Sequence, residues 1–101
     1  MVENVLPLRM TLAAALRVIQ EVAADTSRMV ILGHAKRGMK KRRITRSQVY
    51  SCLRRGVITE GPALDIKNYG RCTMFRLAAG DEASVVVSFN SRERLLVITA
   101  S

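Results

Sequence analysis

The chain has no tryptophan, and only two tyrosines, two phenylalanines, two cysteines and one histidine in 101 residues. Each scarcity excludes something. With 4% aromatic residues, aliphatic packing must supply most of the core. Rows of stacked aromatics of the kind that single-strand binders use are also excluded. Cys52, Cys72 and His34 fit no metal-ligand spacing and give a zinc site too few ligands. Two such thiols read as reduced, buried residues of a cytoplasmic protein. There is no Gly-rich phosphate loop, no His-x-Glu pair and no Cys-x-x-Cys. Eight scattered acids offer no paired carboxylates. Metal, nucleotide and glycosidase chemistry lose their usual signals, and no cofactor is expected. No apolar run approaches about 18 residues, so no membrane span is expected. Met1 to Val5 carries Glu3 and no basic region, so no signal peptide is expected either.

What is present is apolar and positive. Hydrophobic residues make up 49%, a globular composition at the size of one domain, residues 1–101. The net charge is +9, and its placement says more than its size. Between the consecutive acids Asp25 and Glu60 lie ten basic residues: Arg28, Lys36, Arg37, Lys40, Lys41, Arg42, Arg43, Arg46, Arg54 and Arg55. The rest of the chain has seven basic and eight acidic residues, so the whole surplus lies in this third. Self-repulsion opposes such clustering, and a polyanionic partner explains it. A solvated face kept for solubility, an acidic protein partner and a membrane surface are the alternatives.

Apolar spacing gives the elements in order. Thr11 can cap a first helix over about 11–24, with Leu12, Leu16, Ile19, Val22 and Ala23 inward. Residues 28–33 read as a short strand, closed by Gly33 with His34 at its end. A basic helix follows over about 35–43, with Met39 inward. On it Lys36, Lys40 and Arg43 share one face, as do Arg37 and Lys41. Thr45-Arg46-Ser47-Gln48 is a capping box with Ile44 and Val49 as its staple, opening a helix over 46–55. Val49, Cys52 and Leu53 are its buried stripe, and Gly56 can close it as its C′ residue. A strand over 57–60 stops at Gly61-Pro62, and a loop runs to Asn68-Tyr69-Gly70. Three strands follow at about 71–78, 83–89 and 94–100, with turns at Gly80-Asp81 and Asn90-Ser91. Leu95 to Thr99, apolar on both faces, should be central. The order α-β-α-α-β-β-β-β predicts an α+β fold, an antiparallel sheet of four to five strands with helices on one face.

Metal-free RNA cleavage is the chemistry these residues leave open. It needs a base for the 2′-hydroxyl proton, cations for the charged phosphorane and an acid for the leaving oxygen. His34 suits the base or acid role, and the basic helix supplies cations. Lys36, Arg37, Lys40, Lys41, Arg43, Arg46 and Arg71 are the expected phosphate contacts. Arg71 and Arg76 lie five apart on one strand, so they face opposite sides. A lone histidine between a strand and a helix equally serves as a cap or bonds a backbone carbonyl.

The run His34-Ala35-x-x-Gly38-Met39-x-x-Arg42-x-Ile44-Thr45 resembles the opening of a bacterial family catalogued as domain of unknown function 4258. Val49, Leu53, Gly56, Ile58 and Glu60 stand where that family has its capped helix and Gly-x-Ile-x-Glu, and Ile98-Thr99 match its closing pair. The resemblance covers about residues 28–100, with residues 1–27 an added N-terminal helix. It implies kinship with RelE/ParE-like toxins, small α+β proteins many of which act on RNA, and with it an acidic antitoxin-like partner. It implies His34, Arg42, Glu60 and Thr99 as catalytic positions. Gly38 departs from the family pattern, which has arginine there. The expectation is a RelE-like endoribonuclease. The alternatives are a non-catalytic module binding nucleic acid or an acidic protein, and a dimer-forming accessory protein of mobile-element origin.

Overall fold

The computed structural model describes residues 11–64, 70–78, 81–89 and 94–101. Pro7, Asn68, Tyr69, Gly80 and the Asn90-Ser91 turn fall outside them. The elements are α1 (Leu12–Ala23), a 3-10 helical turn (Thr26–Arg28), β1 (Met29–Ile31), α2 (Gly33–Arg42), α3 (Arg46–Arg55), β2 (Val57–Leu64), β3 (Gly70–Ala78), β4 (Asp81–Phe89) and β5 (Leu95–Ala100).

Local chemistry accounts for the helix boundaries. The Thr11 hydroxyl accepts the Ala14 N–H at 3.1 Å and starts α1. The buried stripe of α1 is Ala15, Val18, Ile19, Val22 and Ala23, while Leu12 is exposed. The Asp25 carboxylate caps the 3-10 turn, accepting the Ser27 N–H at 3.1 Å and its hydroxyl at 2.7 Å. α3 opens on a complete capping box. The Thr45 hydroxyl accepts the Gln48 N–H at 3.1 Å, and the Gln48 side chain accepts the Thr45 N–H at 2.7 Å.

Gly56 follows the last residue of α3 as its C-cap, with φ −76° and ψ −179°. Glycine is required there by space, because a Cβ would sit 2.4 Å from the Cys52 carbonyl oxygen and 2.7 Å from that of Phe75. Gly33 and His34 belong to α2, so β1 is shorter than the expected strand over 28–33. β2 runs on through Gly61-Pro62 instead of stopping there. An edge strand tolerates a proline, since its outward side needs no ladder donor. The register shifts on both sides of Glu60.

The five strands form one sheet in the order β1-β5-β4-β3-β2. β2 to β5 are the antiparallel meander that short links imply. The sheet is nevertheless mixed, because β1 pairs parallel with β5, Met29 opposite Leu95 and Ile31 opposite Val97. α2 and α3 carry the chain from one edge of the sheet to the other, which leaves β1 beside the last strand. β5 is interior, between β1 and β4, while β4 is the middle strand. Only Leu95, Val97 and Ala100 of β5 are fully buried.

One side of the sheet supplies Met29, Ile31, Cys72, Met74, Val85, Val87, Phe89, Leu95 and Val97 to a single core. The buried residues of all three helices join the same cluster. The helices therefore cover one face, as expected. Each such aliphatic side chain contributes about 1.5–3 kcal/mol by burial. The other face carries the cross-strand rows Val57–Phe75–Ser84, Glu60–Thr73–Val86–Thr99 and Arg71–Ser88–Leu96–Val30.

Candidate nucleic-acid interface

α2 is held by a narrow inward strip and leaves the rest of its surface to water. Ala35 and Met39 are buried in the core. Gly38 lies so near β5 that a Cβ there would stand 2.7 Å from the Ala100 carbonyl oxygen. Helix and strand thus approach closely at this position. The helix ends in a Schellman turn. Arg43 is left-handed at φ 56°, and the Ile44 N–H donates to the Met39 carbonyl at 2.8 Å. Lys40, Lys41 and Arg42 occupy the last turn, where the helix dipole favours cations.

His34, Lys36, Arg37, Lys40, Lys41, Arg42 and Arg43 are all exposed. Among the described residues none of them has an ion pair or a side-chain hydrogen bond. With about 3.6 residues per turn, His34, Arg37 and Lys41 fall on one stripe. Lys36 and Lys40 fall on another. Arg46 continues the positive surface as the exposed first residue of α3.

The remaining expected residues are spread more widely. Arg71 is exposed and pairs with Ser88 on the face away from the helices. Arg76 turns to the helix side, where its guanidinium donates to the Ser51 hydroxyl, so the two do face opposite ways. Glu60 and Thr99 share a cross-strand row but stand on β2 and β5, with Thr73 and Val86 between them. Three strand spacings separate them, about 14 Å. His34 and Arg42 lie at opposite ends of α2, about 12 Å apart along its axis. The four expected catalytic positions therefore do not converge on one point. The structure brings His34 together with the α2 cations instead.

Not every basic residue of the rich third belongs to this surface. The Arg54 Nε donates to the Ala23 carbonyl at 2.8 Å, and the Arg54 carbonyl accepts from the Gln20 side chain at 3.2 Å. Its guanidinium lies 5.9 Å from the Tyr50 ring centroid. Arg54 ties α1 to α3. Both thiols are core groups. Cys52 donates weakly to the Ala83 carbonyl at 3.6 Å. Burial pushes its pKa up to about 11 despite nearby Arg76, and burial does the same to Cys72.

Sequence reasoning missed a groove of about 360 Å³ at the C-terminal end of α2, lined by Arg42, Ile44, Phe75, Glu82, Ser84 and Ser101. Its residues come from α2 and the link that follows it, β3, β4 and the chain beyond β5, so no local pattern could have announced it. Among the described residues no cluster of His, Cys, Asp and Glu could hold a metal, and no helix is long and apolar enough to cross a membrane.

Residues 31–101 match the family model described as Domain of unknown function (DUF4258). The chain belongs to this family. No curated protein and no solved structure matches it. The match runs from the last residue of β1 through β5, so it takes in α2, the groove at its end and the capped α3. α1, which Arg54 ties to α3, precedes it.

Proposed function

We propose that this protein binds single-stranded RNA through the cationic face of α2. The observation that carries this reading is one ten-residue helix bearing Lys36, Arg37, Lys40, Lys41 and Arg42 and no acid, all exposed and without an ion pair among the described residues. Like charges at these spacings repel, and a row of phosphates relieves that repulsion. Arg43, Arg46 and, on the other face of the sheet, Arg71 extend the contact. Binding should weaken steeply with salt, by about 0.7 log units per phosphate contact for each log unit of salt. The test is fluorescence anisotropy of a labelled uridine oligonucleotide over a salt series. The variant Lys36→Glu/Lys40→Glu/Lys41→Glu should lose most of the affinity and flatten the slope. Wild-type binding that is indifferent to salt contradicts the reading.

A second reading adds cleavage, in the manner of a RelE-like endoribonuclease without a metal. The stripe of His34, Arg37 and Lys41 favours it. His34 would take the 2′-hydroxyl proton as the oxygen attacks phosphorus. Arg37 and Lys41 would stabilise the phosphorane, and the imidazolium would return the proton to the departing 5′-oxygen. Glu60 and Thr99 stand outside this arrangement. An acidic, antitoxin-like protein would cover the same helix, in a cytoplasmic setting. Wild-type cleavage in the presence of chelator, abolished in His34→Ala and in Arg37→Ala with the fold retained, supports this reading. RNA binding without cleavage leaves the binding module alone standing, with an accessory dimer as a further form of it.

A further inference from the structure

We infer that the groove at the end of α2 takes one unstacked guanine base of the RNA. The inference rests on RNA binding by α2 and names what that surface reads. The floor of the groove is a cross-strand row: Phe75 opposite Ser84, and Ser84 opposite Ser101 through backbone bonds of 2.7 and 2.8 Å. Glu82 stands two residues along β4 on the same face, and Arg42 and Ile44 form the wall. At about 360 Å³ the space suits a single base. Phe75 is half-buried on the face the helices leave uncovered, so its ring can serve one base as a stacking surface. The scarcity of aromatics excludes a platform for successive bases and leaves room for this one contact.

The charges are the second observation. Arg42 and Glu82 line one groove yet make no ion pair with each other or with another described residue. A cation and an acid held apart in this way offer a donor set and an acceptor set to a ligand that has both. Single-stranded RNA is read by stacking an extruded base on an aromatic and bonding its Watson–Crick edge. Guanine presents N1–H and N2–H side by side on that edge, which suits the two oxygens of a carboxylate. Adenine and uracil lack that pair of donors. Arg42, the last residue of α2, is placed to hold the phosphate that joins the bound base to the strand along the helix.

The experiment compares labelled uridine oligonucleotides, all uridine or with one central guanosine, adenosine or inosine. The wild type should prefer the guanosine oligomer to the uridine oligomer about tenfold. Inosine, which keeps N1–H and lacks the amino group, should fall between them. Glu82→Gln should erase the guanosine preference. Phe75→Leu, which keeps apolar packing without a ring, should lower the affinity for the guanosine oligomer toward that of the uridine oligomer. Thermal melting confirms that each variant is folded. If the uridine oligomer binds with the expected salt dependence but guanosine gives no advantage, or Glu82→Gln keeps the advantage, the groove inference alone is overturned. If no oligomer binds in a salt-dependent way, the α2 interface fails and the groove falls with it.

Discussion

An alanine at position 38 would gain helix propensity and lose more than that to contact. Its Cβ would stand 2.7 Å from the Ala100 carbonyl oxygen, and a strand backbone cannot swing aside as a side chain tip can. Gly38→Ala should destabilise the protein by about 1–3 kcal/mol although propensity alone favours it by about 1 kcal/mol. Urea unfolding measures the sign. Asp25 shows the opposite kind of residue, solvent-exposed and modest. The Ser27 hydroxyl and then the Ser27 amide hold its carboxyl below the ordinary 3.8. A depressed folded value stabilises the protein above about pH 4 and is lost as pH falls through that lowered value. Asp25→Asn should flatten the acid limb of the stability profile. The thiols at about 11 are protonated at neutral pH, so native protein should resist alkylation until denaturant exposes Cys52 and Cys72. The core role of Cys52 was legible in the sequence, from its place on the stripe with Val49 and Leu53. The reason for Gly38 was not, since the atom it avoids belongs to a strand distant in sequence.

Elements whose signals are local were read well. The capping box at Thr45 needs only four consecutive residues, and both of its bonds are present. Thr45→Ala should cost about 1 kcal/mol, seen as a lowered melting temperature. Two elements followed rules that depend on neighbours. β2 runs through Gly61-Pro62 because it is an edge strand. β1 is cut to three residues because Gly33 already opens α2. The C-terminus of α2 gives a sharper prediction. Arg43 sits at φ 56°, where a side chain is strained and glycine is not. Arg43→Gly should stabilise the protein by about 1 kcal/mol while weakening RNA affinity through the lost charge. A change in both measurements in the same direction would contradict either the turn or the phosphate contact assigned to this residue.

At the scale of the molecule, the helices cover one face of the sheet and turn α2 outward along β5. The order of elements was legible from periodicity and turn residues. The parallel pairing of β1 with β5 was not, because it joins the two ends of the family core and leaves no mark on either strand's pattern. For the same reason the expected site could not be assembled from sequence. Charge along α2 is a local property, and it is there as read. Glu60 and Thr99 sit on one row of the sheet with two strands between them, and the groove with Phe75 and Glu82 draws on four parts of the chain. The central claim is that α2 presents a phosphate-binding face. The slope of RNA affinity against salt measures it most directly, for wild type beside Lys36→Glu/Lys40→Glu/Lys41→Glu. Three to five phosphate contacts give a wild-type slope of about −2 to −3.5 on log axes, with the variant shallower by about 2 for its three lost lysines. A shallow slope in the wild type, or an unchanged slope in the variant, would contradict the claim.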